Sequence, residues 1–163
     1  MRVSEKIKTV CYAIATLGSL GEWALGGVFA SALAIPLLFL YRSVYWLSGT
    51  IFYWLVVSSI ALSALIMQVA LQRTEATVRS PIVLDKIIGV MIALIGIQLR
   101  WRVVIFGFIL FHFLNTLKPF WWYRSVIDRI ERIPGVMGLV GSDLLSGALV
   151  NVFLHLITWV MLG

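Results

Sequence analysis

Long stretches without charged residues alternate with short polar segments along the chain. The uncharged or nearly uncharged stretches are residues 23–41, 45–72, 87–99, 103–117 and 139–162. A helix needs about 20 mostly apolar residues to cross the hydrocarbon core of a bilayer, which is about 30 Å thick. The pattern therefore predicts an all-α, polytopic membrane helical bundle with about five spans.

Two further segments differ from these spans. Residues 9–21 are uncharged, but a helix of that length reaches only about 20 Å, so we expect an N-terminal half-helix there. Residues 120–133 have aliphatic side chains on one helical face, namely Val126, Ile127, Ile130 and Ile133. Charged residues fill the opposite face, and aromatic residues open the segment. This second pattern predicts an amphipathic helix lying in the membrane interface.

Prolines mark two expected irregularities. Pro36 is expected to kink the helix of residues 23–41, because proline cannot donate a backbone hydrogen bond. Pro81 is well suited to the first turn of a helix, and Ser80 before it is well suited to the cap. The helix that carries Asp85 is therefore expected to begin at Pro81.

Composition narrows the class of protein. Of the 163 residues, 61% are hydrophobic and 12% are charged, whereas about 25% of residues are charged in an average soluble domain. Together with a mean hydropathy of +1.02, this excludes a soluble enzyme, a secreted scaffold and a disordered tail. The length allows one membrane domain, residues 1–163, with no room for a second.

The net charge of +6 has a specific distribution. The basic residues flank apolar stretches, so they indicate membrane anchoring rather than a nucleic-acid partner. With a cytosolic N-terminus, the far side holds only Arg42, Arg100 and Arg102, and the other lysines and arginines face the cytosol. This bias predicts a cytosolic N-terminus, and five crossings place the C-terminus on the other side.

Polar residues from four segments converge near the predicted cytosolic interface. They are Glu22, Asp85, Asn115 with Lys118, and Asp143. Polar groups inside apolar spans are costly, so their common depth predicts a functional site.

Each of these residues also has a structural interpretation. Asp85 and Asp143 could stabilise helix starts, and Lys86 could be an interface lysine. Asn115 could bond between helices, and Glu22 could either bind a cation or act as a cap. His112 and His155 are expected to pack or to make interhelical hydrogen bonds.

Three segments, in this order, resemble motifs of the phosphatidylglycerophosphatase A family. Residues 82–89, IVLDKIIG, are similar to I-V-x-D-E-x-x-G. Residues 111–119, FHFLNTLKP, are similar to F-R-x-F-D-x-x-K-P. Residues 135–147, GVMGLVGSDLLSG, are similar to G-x-G-I-M-x-D-D-x-x-A-G. The resemblance extends over about residues 13–150.

The resemblance implies a bacterial inner-membrane enzyme that hydrolyses phosphatidylglycerol phosphate to phosphatidylglycerol with Mg²⁺. It implies that Asp85 and Asp143 are catalytic and bind Mg²⁺ and that Lys118 binds the substrate phosphate. From the residues of this chain, we expect Lys86 as a second phosphate ligand and Glu22 and Asn115 as further Mg²⁺ ligands. The expected partners are an anionic phospholipid and the bilayer, and the sequence gives no indication of an oligomeric state.

The chain also departs from the motifs at three positions. Lys86 and Asn115 stand where the motifs have Glu and Asp, and Ser142 stands where they have the first Asp of a pair. Over six motif positions, five acids and one lysine become two acids and two lysines, so the charge changes from −4 to 0. Because Mg²⁺ affinity depends on carboxylates, the alternative is a catalytically impaired homologue that acts as a lipid-binding or structural membrane protein. A channel or transporter subunit is the third interpretation.

Overall fold

The computed structural model describes residues 4–18, 20–23, 25–45, 49–72, 82–98, 100–118 and 120–162. Every regular element in these ranges is a helix, which confirms the predicted all-α fold. The helices are α1 (Glu5–Ala15), α2 (Gly26–Ala32), α3 (Ala34–Tyr45), α4 (Gly49–Leu71), α5 (Leu84–Leu94), α6 (Trp101–Thr116), α7 (Trp121–Glu131) and α8 (Val136–Leu162), with a 3₁₀ turn at Leu20–Glu22.

Three helical segments are long and apolar enough to cross a membrane. They are Gly26–Ser43, which combines α2 and most of α3, Gly49–Leu71 and Val136–Trp159. By contrast, α5 has 11 residues and α6 has 16, so the count of about five spans stays a prediction. The N-terminal α1 also has 11 residues, the length expected of a half-helix.

The helix predicted over residues 23–41 is interrupted. α2 ends at Ala32, and α3 begins at Ala34. Pro36 has no N–H to donate to the Ala32 carbonyl four residues before it. The helix is thus interrupted one turn before Pro36, where we expected only a kink.

The start of α5 differs from the prediction. The helix begins at Leu84, after the cap residue Val83, and not at Pro81. The Val83 N–H donates a hydrogen bond to the Ala15 carbonyl at 3.0 Å, which ties this residue to the end of α1. A contact this distant in sequence has no local signal. The expected cap Ser80, like Pro81, lies outside the described residues.

α5 is the centre of the bundle. Most of its residues are buried, and it contacts α2, α3, α4, α6 and α8. Its closest contact is with α8, where a Cβ on Gly147 would lie 2.4 Å from the Gly89 carbonyl oxygen. The two backbones therefore touch, as small residues allow in membrane helix pairs.

α7 packs on α8 with part of its apolar face. Ile127 is buried there, together with Tyr123, whose hydroxyl lies 2.9 Å from the Ser146 hydroxyl on α8. Val126 and Ile133, expected on the same face as Ile127, are exposed. The location of α7 in the membrane interface stays a prediction.

Candidate functional site

The site is centred on a buried carboxylate, Asp143. It lies in the second turn of α8, and its side chain is 1% exposed. The Lys86 ammonium donates to its Oδ2 at 3.1 Å, and the Lys118 ammonium donates to its Oδ1. Two lysines from two other helical segments therefore meet on one carboxylate.

The two lysines reach Asp143 from opposite helix ends. Lys86 lies in the first turn of α5, and Lys118 follows the last residue of α6. Lys118 also donates to the Ser142 hydroxyl at 3.1 Å. The start of α5, the end of α6 and the first turns of α8 thus lie at the same end of the bundle.

Asp85 adds a second buried carboxyl group. Its Oδ1 accepts the backbone N–H of Lys86 at 2.8 Å, and its Oδ2 lies 3.9 Å from the Lys86 ammonium. The Lys86 ammonium thus lies between the two buried carboxyl groups.

The Lys86 side chain lies in a space that α2 leaves open. A Cβ on Gly27 would come within 2.6 Å of the Lys86 Cδ atom and 2.8 Å of its Cε atom. Any larger residue at position 27 would displace the lysine stem. Gly27 thus determines where the Lys86 ammonium can lie.

Both ammonium groups retain hydrogen-bond donors. A lysine ammonium has three N–H bonds. Within the described ranges, the Lys86 ammonium donates one hydrogen bond and the Lys118 ammonium donates two. Their side chains are 32% and 20% exposed. The remaining N–H bonds are available to an anion that approaches from outside the bundle.

Asn115 precedes Lys118 by one turn at the end of α6. Both polar atoms of its amide are buried, and neither has a hydrogen-bond partner among the residues that the structure describes. The alternative that Asn115 bonds between helices is therefore not supported. An unpaired buried amide is costly, so a ligand that both donates and accepts hydrogen bonds would be stabilised there.

Glu22 does not join the two aspartates. It is exposed at the end of the 3₁₀ turn. In the described part of the chain, no three His, Cys, Asp or Glu side chains come close enough together to hold a metal ion. The structure thus brings together Asp85, Lys86, Lys118 and Asp143 and leaves Glu22 apart.

The histidines have structural roles. The His112 Nε2 lies 2.9 Å from the Ser31 hydroxyl, which joins α6 to α2. The His155 Nδ1 lies 3.0 Å from the Asn151 carbonyl within α8. The His112 contact is the expected interhelical hydrogen bond, whereas the His155 contact lies within one helix.

Two polar contributions were not assigned from the sequence. Ser142 was noted only as the replacement of a motif aspartate, and its hydroxyl accepts a hydrogen bond from Lys118. The Asn151 amide donates to the Ala93 and Ile95 carbonyls at 3.2 and 2.8 Å, so it joins α8 to the C-terminal end of α5. The only signal for Asn151 was a single amide in an apolar run.

The comparison with protein families bears on the same segments. A family model described as phosphatidylglycerophosphatase A matches residues 13–158. The chain belongs to the phosphatidylglycerophosphatase A family. All residues of the lysine–carboxylate cluster, defined as Asp85, Lys86, Lys118, Ser142 and Asp143, lie inside the matched range. Searches of curated proteins and of solved structures gave no significant match.

The Mg²⁺ that the family resemblance implies can be tested against this donor set. Mg²⁺ requires near-octahedral oxygen ligands at about 2.0–2.1 Å. Both oxygens of Asp143 accept lysine hydrogen bonds, and Asp85 faces the Lys86 ammonium. Because Glu22 lies apart, no third carboxylate of the described residues compensates. The described residues therefore do not fit a magnesium centre.

Proposed function

We propose that the protein binds phosphatidylglycerol phosphate through Lys86 and Lys118 and hydrolyses it to phosphatidylglycerol and inorganic phosphate. One observation carries the proposal: two ammonium groups with unused donors are fixed on one buried carboxylate. A lysine binds phosphate as a compact positive charge. Membership of the phosphatidylglycerophosphatase A family supports the choice of substrate.

The location of the cluster is consistent with a lipid substrate. It lies at helix ends, so a headgroup can reach it while the acyl chains stay in the bilayer. Charge also favours this ligand. With Asp85 and Asp143 ionised, the two carboxylates and the two ammonium groups sum to zero, so the site does not repel a doubly charged phosphate.

The reaction requires charge stabilisation more than covalent chemistry. A water oxygen bonds to phosphorus, and the phosphorus–oxygen bond to the glycerol breaks. One proton of the water passes to the glycerol oxygen, and the other stays on the released phosphate. Charge spreads over the three other phosphate oxygens in the transition state. Lys86 and Lys118 would offset that charge, and Asp143 would hold both lysines in place.

The cellular location is part of the proposal. The distribution of lysine and arginine supports a bacterial inner-membrane protein with its N-terminus and its site on the cytosolic side. A reporter fused to the C-terminus would test the orientation. Activity of a periplasmic reporter is expected, whereas activity only of a cytosolic reporter would contradict five crossings.

The direct test measures phosphate release from phosphatidylglycerol phosphate by the purified protein in detergent. A Lys118→Ala variant is expected to release phosphate at least about 100-fold more slowly, because one charged contact to the transition state is lost. Lys8→Ala is the matched control, since Lys8 pairs with Glu5 on α1 at 2.8 Å. Equal rates for wild type and Lys118→Ala would contradict the assigned role.

A second candidate function is lipid binding without turnover. It is favoured by the two lysine ammonium groups on Asp143, because they compensate its charge and weaken it as a base toward water. In that case the purified protein would retain phosphatidylglycerol phosphate but release no phosphate. The Lys118→Ala variant would then lose retention, and that loss separates this function from a misfolded preparation.

A further inference from the structure

The Lys86 ammonium lies near both buried carboxyl groups. Its Nζ atom is 3.1 Å from the Asp143 Oδ2 atom and 3.9 Å from the Asp85 Oδ2 atom. We propose that this ammonium is the resident cation of the site, in the place that a divalent cation would need, so that the protein handles its phosphomonoester lipid without a metal ion. The lipid in this statement rests on the proposed function, and the exclusion of the metal does not.

The contacts of each carboxylate oxygen support this assignment. Asp143 Oδ1 accepts from Lys118, and Asp143 Oδ2 accepts from Lys86. Asp85 Oδ1 accepts the backbone N–H of Lys86. The remaining oxygen, Asp85 Oδ2, faces the Lys86 ammonium. A metal ion that bound both aspartates would have to share their oxygens with the two ammonium groups.

Charge opposes such binding of a metal ion. A divalent cation is held by an excess of negative charge in its ligands. Two ionised aspartates and two lysines leave no excess, and an added Mg²⁺ would bring the cluster to +2. Both ammonium groups would then repel the metal in a partly buried site, where water screens charge less than in bulk solvent.

The fold accommodates this lysine. Gly27 on α2 leaves the space that the Lys86 Cδ and Cε atoms occupy, and a Cβ there would come within 2.6 Å of the lysine stem. The Lys86 ammonium is thereby directed toward Asp143 rather than outward. An interface lysine with a purely anchoring role needs no such space.

Metal binding by the purified full-length protein in detergent tests the proposal. The probe is Mn²⁺, with free ion followed by electron paramagnetic resonance. Wild type is expected to show no saturable site. Lys86→Glu changes the charge of the cluster from neutral to −2. This variant is expected to bind Mn²⁺ at a saturable site, at least about 100-fold more tightly than wild type. Lys86→Gln removes the charge without adding a ligand and is expected to lie between them.

Phosphate release from phosphatidylglycerol phosphate provides the second measurement. Wild-type release is expected to be unchanged when EDTA replaces Mg²⁺, and any release by Lys86→Glu is expected to require Mg²⁺. If neither protein releases phosphate, the proposed hydrolase activity fails. The Mn²⁺ comparison still decides whether Lys86 replaces the metal, so the two failures are distinguishable.

Two results would overturn the proposal. One is a saturable Mn²⁺ site in wild type. The other is a wild-type activity that EDTA abolishes and Mg²⁺ restores. Helical circular dichroism and elution volume show whether each variant is folded, and the wild-type titration decides the question even if both variants fail to fold.

Discussion

The two halves of α8 use polar residues in different ways. In the first half, Asp143 and Ser142 accept hydrogen bonds from lysine side chains that arrive from other segments. In the second half, polar side chains bond to backbone carbonyls. Asn151 donates to the end of α5, and Thr158 donates to Leu154 within α8.

The difference distinguishes a site from a structural contact. A backbone carbonyl cannot leave its helix, so a hydrogen bond to it fixes the packing and offers nothing to a ligand. A lysine ammonium can keep one bond to the protein and use the others for a ligand. By this criterion, the first half of α8 carries the site, and the second half holds the bundle together.

Removing the Asp143 carboxylate should have the largest effect on stability and on phosphate release. Asp143→Ala removes the carboxylate that Lys118 contacts and leaves Lys86 only the more distant Asp85 carboxyl group, at 3.9 Å. Breaking a buried ion pair costs about 3–5 kcal/mol, and we expect about 3 kcal/mol because the lysines are 32% and 20% exposed. Unfolding in an SDS titration measures the loss, and phosphate release should fall to background. Unchanged stability would show that the cluster does not hold these helices.

The next largest effect concerns the close backbone contact between α8 and α5. Gly147→Ala places a methyl group 2.4 Å from the Gly89 carbonyl oxygen, so the helices must separate. We expect a loss of about 2–3 kcal/mol, as for other overpacked cores, and a lower rate of phosphate release because Asp143 moves away from Lys86. Ala148→Leu, at an exposed neighbouring position, is the control, and an equal effect of both substitutions would contradict this explanation.

The second half of α8 should respond only in stability. Asn151→Leu removes two hydrogen bonds to the end of α5. Side-chain hydrogen bonds in membrane proteins contribute about 0.6–1.7 kcal/mol, so we expect a loss of about 1 kcal/mol in the same SDS titration. The rate of phosphate release per folded molecule should stay at the wild-type value. A loss of activity without a loss of stability would contradict the conclusion that the second half of α8 lies outside the site.

The smallest effect is expected outside both halves, on α7. Asp128 lies 3.6 Å from Arg124, and both side chains are largely exposed. Exposed ion pairs contribute about 0–1 kcal/mol, so Asp128→Ala should change neither the unfolding transition nor phosphate release measurably. A large loss of activity would place α7 in the site and would require a new account of substrate entry.

Most of the fold was predictable because long apolar runs have few alternatives. The run of residues 45–72 became α4 (Gly49–Leu71), and the run of residues 139–162 became α8 (Val136–Leu162). The start of α5 was not predictable, because the hydrogen bond from Val83 to Ala15 joins residues far apart in sequence. Local signals such as proline cannot show that bond.

The sequence predicted which residues lie near the same helix ends, but it did not predict which of their side chains are in contact. A common distance from helix ends correctly grouped Asp85, Lys118 and Asp143. That Lys86 reaches into the same cluster depends on the space beside Gly27, which is a property of how α2 packs on α5. The sequence offered Glu22 as an equal candidate, and only the packing shows that it lies elsewhere.

The short length of α6 has a consequence for the surrounding lipid. Its 16 residues extend over roughly 24 Å, whereas the 27 residues of α8 extend over roughly 40 Å. If α6 crosses the bilayer as predicted, its exposed apolar side chains such as Ile109 and Phe113 favour a bilayer that is locally thinner than the usual core of about 30 Å. Lys118 lies two residues after the end of this helix. A thicker bilayer should therefore strain the side of the bundle that carries Lys118, and acyl-chain length should change the geometry of the lysine–carboxylate cluster.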